Sequence, residues 1–125
     1  MEKQNKILVA DDDPDFVRMV CERLESQGYE TLFAHEGIRT VELAARETPD
    51  LILLDWMMPV GKGDTVLANL SRNNATRHIP VVIVTALRDP KIESVAKSFG
   101  VKGFFRKPFE QTLLLQTIHD CLSHL

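Results

Sequence analysis

Short runs of consecutive apolar residues alternate along this chain with segments whose apolar residues recur every three or four positions. The continuous runs predict strands at residues 6–10, 31–34, 51–54, 81–84 and 103–105. Runs 51–54 and 81–84 are apolar almost throughout, which suits parallel strands covered on both faces. The segments between them have helical spacing. Pro14 suits a first helical position with Asp13 as its N-cap, Phe16, Val17, Val20 and Leu24 follow, and Gly28 can stop the helix. A second helix is expected over about 37–48. A third starts near Asp64 and carries Val66, Leu67 and Leu70. A fourth starts near Pro90, with Ile92, Val95, Ala96 and Phe99 as its apolar stripe, and ends at Gly100. The last starts near Phe109, with Leu114, Ile118, Cys121, Leu122 and Leu125 as its stripe; Leu115 falls beside that stripe as a candidate surface contact. The order is (βα)5. Right-handed crossovers wind it into an α/β fold, a doubly wound parallel five-stranded sheet with helices on both faces. Ligands of such sheets sit at the carboxyl ends of the strands, where the strand order reverses.

With 125 residues the chain is about one domain long, and residues 1–125 read as a single unit without linker, repeat or output module. Its 44% hydrophobic and 26% charged residues are ordinary for a globular protein. A net charge of −3 offers no basic surface for direct nucleic-acid binding. No apolar run is long enough for membrane insertion, and the polar start "MEKQNK" lacks a signal-peptide core. Cys21 and Cys121 are far apart and read as reduced thiols. These features together favour the cytoplasm.

The chemistry concentrates at the predicted strand ends. The first strand runs straight into "DDDPD", delivering Asp11 and Asp12. The third delivers Asp55, the fourth Thr85 and the fifth Lys107. Like charges in contact repel by roughly 4 kcal/mol per pair at an effective dielectric near 20. A hard cation such as Mg2+, which takes carboxylate and water oxygens, makes the cluster tolerable. Asp13 has a different task, as the cap of the first helix. His35, His78, His119 and His124 have no metal-ligand spacing, and only His35 is placed to line the same pocket.

At these residues the chain resembles the receiver domains of two-component response regulators. The resemblance covers nearly its whole length, through "KILVADDDP", "LILLDWMMP", "VVIVTAL" and "FFRKPF" in order. It implies a flavodoxin-like fold with strand order 2-1-3-4-5 and a phosphorylation-activated signalling switch. Asp55 would accept a phosphoryl group from a sensor histidine kinase or phosphotransfer protein. Mg2+ or Mn2+ would be held by Asp12, Asp55 and the backbone carbonyl of Met57, with Asp11 acting through a bound water. Lys107 and Thr85 would contact the phosphoryl oxygens, and Phe104 would be the switch aromatic. The Lys107–Pro108 bond is commonly cis in that family. The resemblance further implies an output face formed by helix 4, strand 5 and helix 5, open to a downstream domain or protein or to a second copy. Such a domain is not a conventional enzyme, catalysing only its own phosphorylation and slow dephosphorylation.

The loop after strand 3 departs from the family's usual "MP-x-M-D-G": Gly61 and Lys62 replace Met and Asp, which is expected to loosen and recharge it. Phe104 lacks the hydroxyl of the tyrosine found in many relatives. Met57 and Leu87, two places after Asp55 and Thr85, are apolar and imply slow loss of the phosphoryl group. Two other functions were open on the residues. An aspartate-nucleophile phosphohydrolase needs a D-x-D pair, which Asp11/Asp13 or Asp13/Asp15 mimic, but 125 residues barely leave room for its cap. A flavin carrier needs a hydroxyl- and glycine-rich phosphate loop, and "DDDPD" has the wrong charge.

Overall fold

In the computed structural model, which describes residues 4–123, five strands alternate with five helices. In chain order they are β1 (Lys6–Ala10), α1 (Pro14–Ser26), β2 (Glu30–Ala34), α2 (Gly37–Glu47), β3 (Leu51–Leu54), α3 (Gly63–Arg72), β4 (Val81–Thr85), α4 (Pro90–Ser98), β5 (Gly103–Arg106) and α5 (Gln111–Ser123). The strands pair in parallel in the order β2-β1-β3-β4-β5. Alternate residues of a strand point to opposite faces, and each face builds its own core. Ile7, Val9, Leu51 and Leu53 pack with Val17, Val20 and Leu24 of α1 and Leu114, Ile118 and Leu122 of α5. Leu8, Ala10, Ile52 and Leu54 pack with Leu43 and Ala44 of α2, Val66, Leu67 and Leu70 of α3, and Ala96 of α4. β3 and β4 are buried throughout, as their unbroken apolar runs require.

Three strands exceed their apolar runs by one residue. Glu30 pairs with Lys6, and Thr85 pairs with Arg106, so β2, β4 and β5 are set by their neighbours' ladders rather than by hydrophobicity. α5 starts at Gln111 rather than near Phe109. The Lys107–Pro108 bond is cis, and the Phe109 ring is edge-on to Phe105 at 6.1 Å and to Phe16 at 6.2 Å. Phe109 is thus a loop residue pinned in the α1/α5 core.

Two expectations about surfaces need correction. Leu115 is half-buried against the α1 side of the core, and the exposed leucine of α5 is Leu113. The α4 stripe is mostly uncovered: only Ala96 is buried, and Val95 and Phe99 are exposed. α4 is instead tied by charge. Glu93 pairs with Lys97 at 2.9 Å and with Arg106 of β5 at 3.1 Å, and Arg106 Nε donates to the Leu87 carbonyl at 3.2 Å. Leu125 and His124 lie outside the described residues. No described helix is long and apolar enough to cross a membrane.

Candidate functional site

β1 and β3 are adjacent, so their carboxyl ends bring Asp11, Asp12 and Asp55 together. One carboxylate oxygen from each lies within 4.8 Å of the others. Asp11 and Asp55 are buried and Asp12 is exposed, which leaves the cluster open to solvent on one side. Three oxygen donors of this kind suit a hard divalent cation such as Mg2+ or Mn2+ rather than zinc, which prefers nitrogen and sulfur. Asp13 stands apart: its side chain accepts the amides of Asp15 at 3.0 Å and Phe16 at 3.4 Å, the N-cap role read from the sequence. Its own amide donates to Asp11 at 2.9 Å, so the helix start also orients the first carboxylate of the cluster.

Lys107 enters from the end of β5. Its Nζ lies 2.6 Å from Asp11 Oδ2 and 3.3 Å from Asp55 Oδ2. Burial pushes the Asp11 carboxyl up to about 6, and the nearby Asp55 charge adds to the rise; the hydrogen bonds from Lys107 and the Asp13 amide and the Lys107 charge only partly offset these. Burial pulls Lys107 the other way, yet its two carboxylate partners leave its pKa raised overall. The asymmetry is physical: Lys107 faces two anions, whereas Asp11 faces one cation, another anion and little water. A single ammonium cannot neutralise three carboxylates, and the site is short of positive charge.

Thr85 is fully buried at the end of β4, and its Oγ1 accepts the Leu87 amide at 3.3 Å. Its hydroxyl is therefore engaged with its own loop. Phe104 is half-buried on β5, with the Arg106 guanidinium carbon 5.0 Å from its ring centroid. The Met57 amide donates to Asp55 Oδ1 at 3.2 Å, and the Met57 side chain is exposed between the buried Trp56 and Met58.

Contrary to the expected loosening, the loop after β3 is fastened along its backbone. Gly63 N–H donates to the Trp56 carbonyl at 2.8 Å, Gly37 N–H to Pro59 at 3.0 Å and Ile38 N–H to Val60 at 2.7 Å. Gly61 lies flat against Gly37, where side chains would keep the backbones apart.

Two neighbours adjoin the cluster: Phe16, not assigned to it from sequence, and His35, expected to line the pocket. The Phe16 ring centroid is 3.9 Å from Lys107 Nζ, a cation–π contact that steers the ammonium. In sequence, Phe16 is one member of an apolar helical stripe. His35 Nδ1 is 2.9 Å from the Asp11 carbonyl, which places its ring behind the cluster rather than in it.

Comparison with known proteins agrees with this geometry. Residues 7–119 match the family described as the response regulator receiver domain. The chain is 39% identical over 117 residues to response regulator PleD of Caulobacter vibrioides, covering 92% of this chain and 25% of PleD. It is 34% identical over 119 residues to protein PilH of Pseudomonas aeruginosa, covering 94% of this chain and 98% of PilH. Among solved structures, the BeF3-activated N-terminal receiver domain of Klebsiella pneumoniae RstA superposes with a TM-score of 0.87 at 28% identity, covering 94% of this chain and 98% of that one.

Proposed function

We propose a function from one premise: this chain belongs to the response regulator receiver domain family. Members are signalling switches of two-component systems, controlled by phosphorylation, and are not conventional enzymes. For this chain the observation that carries the reading is the convergence of Asp11, Asp12 and Asp55 within 4.8 Å, with Lys107 Nζ touching two of them, at the carboxyl edge of the sheet. Asp55 is the phosphoacceptor. A carboxylate oxygen attacks the phosphorus of a phosphohistidine on a sensor histidine kinase or phosphotransfer protein; the new P–O bond forms as the P–N bond breaks, and the imidazole leaves with a proton. Asp12, Asp55 and the Met57 carbonyl would hold Mg2+ or Mn2+, with Asp11 holding a bound water. The ion, when bound, supplies the positive charge that the site lacks.

Lys107 then exchanges its bond with Asp55 for one with a phosphoryl oxygen, while the Phe16 ring keeps the ammonium in place. Thr85 Oγ1 accepts the Leu87 amide and keeps its own O–H, which can donate to another phosphoryl oxygen. These contacts exist in one state alone, so they supply the free energy that shifts the equilibrium. Phe104 moves into the space beside Thr85 and repacks the face made by α4, β5 and α5. Val95 and Phe99 on α4 and Leu113 on α5 are exposed there, apolar side chains available to an output domain, a separate protein or a second copy. The compartment this suits is the cytoplasm, where histidine kinases present their phosphohistidine.

The test is intact-mass measurement after incubation with acetyl phosphate and Mg2+. Wild type gains one phosphoryl group and Asp55→Asn gains none. Undiminished incorporation in Asp55→Asn would remove Asp55 from its role, and incorporation at Asp11 or Asp13 would favour the hydrolase reading instead.

A further inference from the structure

The amino end of α2 is an unusual place for a loop to dock. Glu36 is the N-cap by position, yet its side chain makes no capping hydrogen bond. The first amides of a helix have no partner inside it and need one outside. Here the loop after β3 supplies them: the Pro59 carbonyl accepts from Gly37 and the Val60 carbonyl from Ile38. The fit is close enough to exclude side chains. A Cβ on Gly37 would sit 2.1 Å from the Gly61 carbonyl oxygen, well inside contact distance. Gly61 itself has φ +114, a conformation that favours glycine. Val60 has φ 53, a left-handed conformation that a β-branched residue adopts only under constraint.

The same loop carries Met57. The carbonyls of Trp56, Pro59 and Val60 are each committed to a backbone amide, whereas among the described residues no backbone amide donates to the Met57 carbonyl. The buried Trp56 and Met58 side chains fix the near end of the loop. Its far end is fixed by α2.

We infer that the amino terminus of α2 is a positioning element for the cation site: the Gly37 and Ile38 amides hold the Pro59–Gly61 backbone, and through it the Met57 carbonyl, in the place where a divalent cation can use it. This rests on the reading of Met57 as a cation ligand. Gly37 and Gly61 act together, because only two facing glycines allow the backbones to approach. Ile38 acts through its amide and not through its side chain, which is exposed.

The experiment is a MgCl2 titration followed by Trp56 emission, beside urea unfolding in EDTA. Ile38→Pro removes the amide donor in the first helical turn, where proline is tolerated. Ile38→Ala keeps the amide and removes the side chain. Ile38→Pro should weaken Mg2+ binding about five-fold, the equivalent of roughly 1 kcal/mol. Ile38→Ala should bind Mg2+ like wild type. A merely structural role would lower the urea midpoint of Ile38→Pro and leave its Mg2+ affinity alone, and that result would overturn the inference. Should Ile38→Pro fail to fold, wild type decides: saturating Mg2+ should slow amide exchange at Gly37 and Ile38, and unchanged exchange there refutes the coupling. If wild type shows no Mg2+ response that Asp55→Asn removes, the cation site itself fails, an outcome distinct from both.

Discussion

Removing the charge of Asp11 should stabilise the cation-free fold, and more so at neutral than at acidic pH. Asp11 is buried, and its pKa stands at about 6 against an ordinary 3.8. Between those values the folded chain binds more protons than the unfolded chain, so stability falls as pH rises. The cost is absent below the lower value and complete above the upper one. By linkage it is partial at about pH 5 and complete at about pH 7.5, where it is on the order of a few kcal/mol. Lys107 does not disturb the comparison. Its raised pKa contributes stability at every pH below its ordinary 10.5, and so stays constant across this window. Asp11→Asn keeps the side-chain shape and an acceptor for Lys107 while removing the charge, and it gives up the acceptor for the Asp13 amide. Urea unfolding in EDTA should therefore find it more stable than wild type at about pH 7.5, by on the order of 1 kcal/mol or more, and by distinctly less at about pH 5. A variant that is no more stable than wild type at the higher pH, or whose gain is the same at both, would refute the claim that burial of this carboxylate opposes folding.

Three further expectations follow from neighbouring residues. Met57→Asn with Leu87→Glu should shorten the life of the phosphorylated form at least several-fold, because each new side chain can orient an attacking water; an unchanged decay of the phosphorylated mass would refute the shielding role of the apolar pair. Val60→Gly should stabilise the fold by about 1 kcal/mol in urea unfolding, since glycine accepts the left-handed conformation that valine holds under strain, and a loss of stability would show that the Val60 side chain matters more than its backbone. In wild type, phosphorylation or its BeF3 mimic should alter amide exchange around residues 86–106, and in Thr85→Ala much less; matching changes in both proteins would exclude Thr85 as the coupling element.

The strand ends were readable because two independent signals coincide there. A continuous apolar run marks a buried strand, and the polar residue that ends it must lie at the rim of the sheet. Asp11, Asp55 and Thr85 are found that way, whereas on β5 the run ends at Arg106 and Lys107 is the residue after it. Asp13 was readable because a cap beside Pro14 is a local property. Contacts that depend on what lies opposite a segment were not readable. Phe16 and the α4 stripe show this from two directions. Both follow helical spacing, which says which residues share a face but not what covers it. Phe16 turns out to face Lys107, and Val95 and Phe99 are left substantially exposed. The loop after β3 misled for a related reason. Replacing a methionine by Gly61 reads as lost contact, whereas the lost side chain is what lets the backbone reach Gly37.

The sparse packing of α4 has a thermodynamic corollary. Burying a Val or Leu side chain contributes about 1.5–3 kcal/mol, so the three such residues that α1 buries anchor it firmly, while α4, with Ala96 buried and Ile92 only partly so, has less of this to lose when it shifts. The ion pair that ties it to the sheet is Glu93 with Arg106 of β5, which is partly in water and therefore screened by salt. The setting of such a helix should respond to the salt of the medium. Were Asp55 phosphorylated as proposed, ionic strength would act as a gain control: dilute buffer would hold the helix in its resting place, and physiological salt would lower the threshold at which the modification moves it.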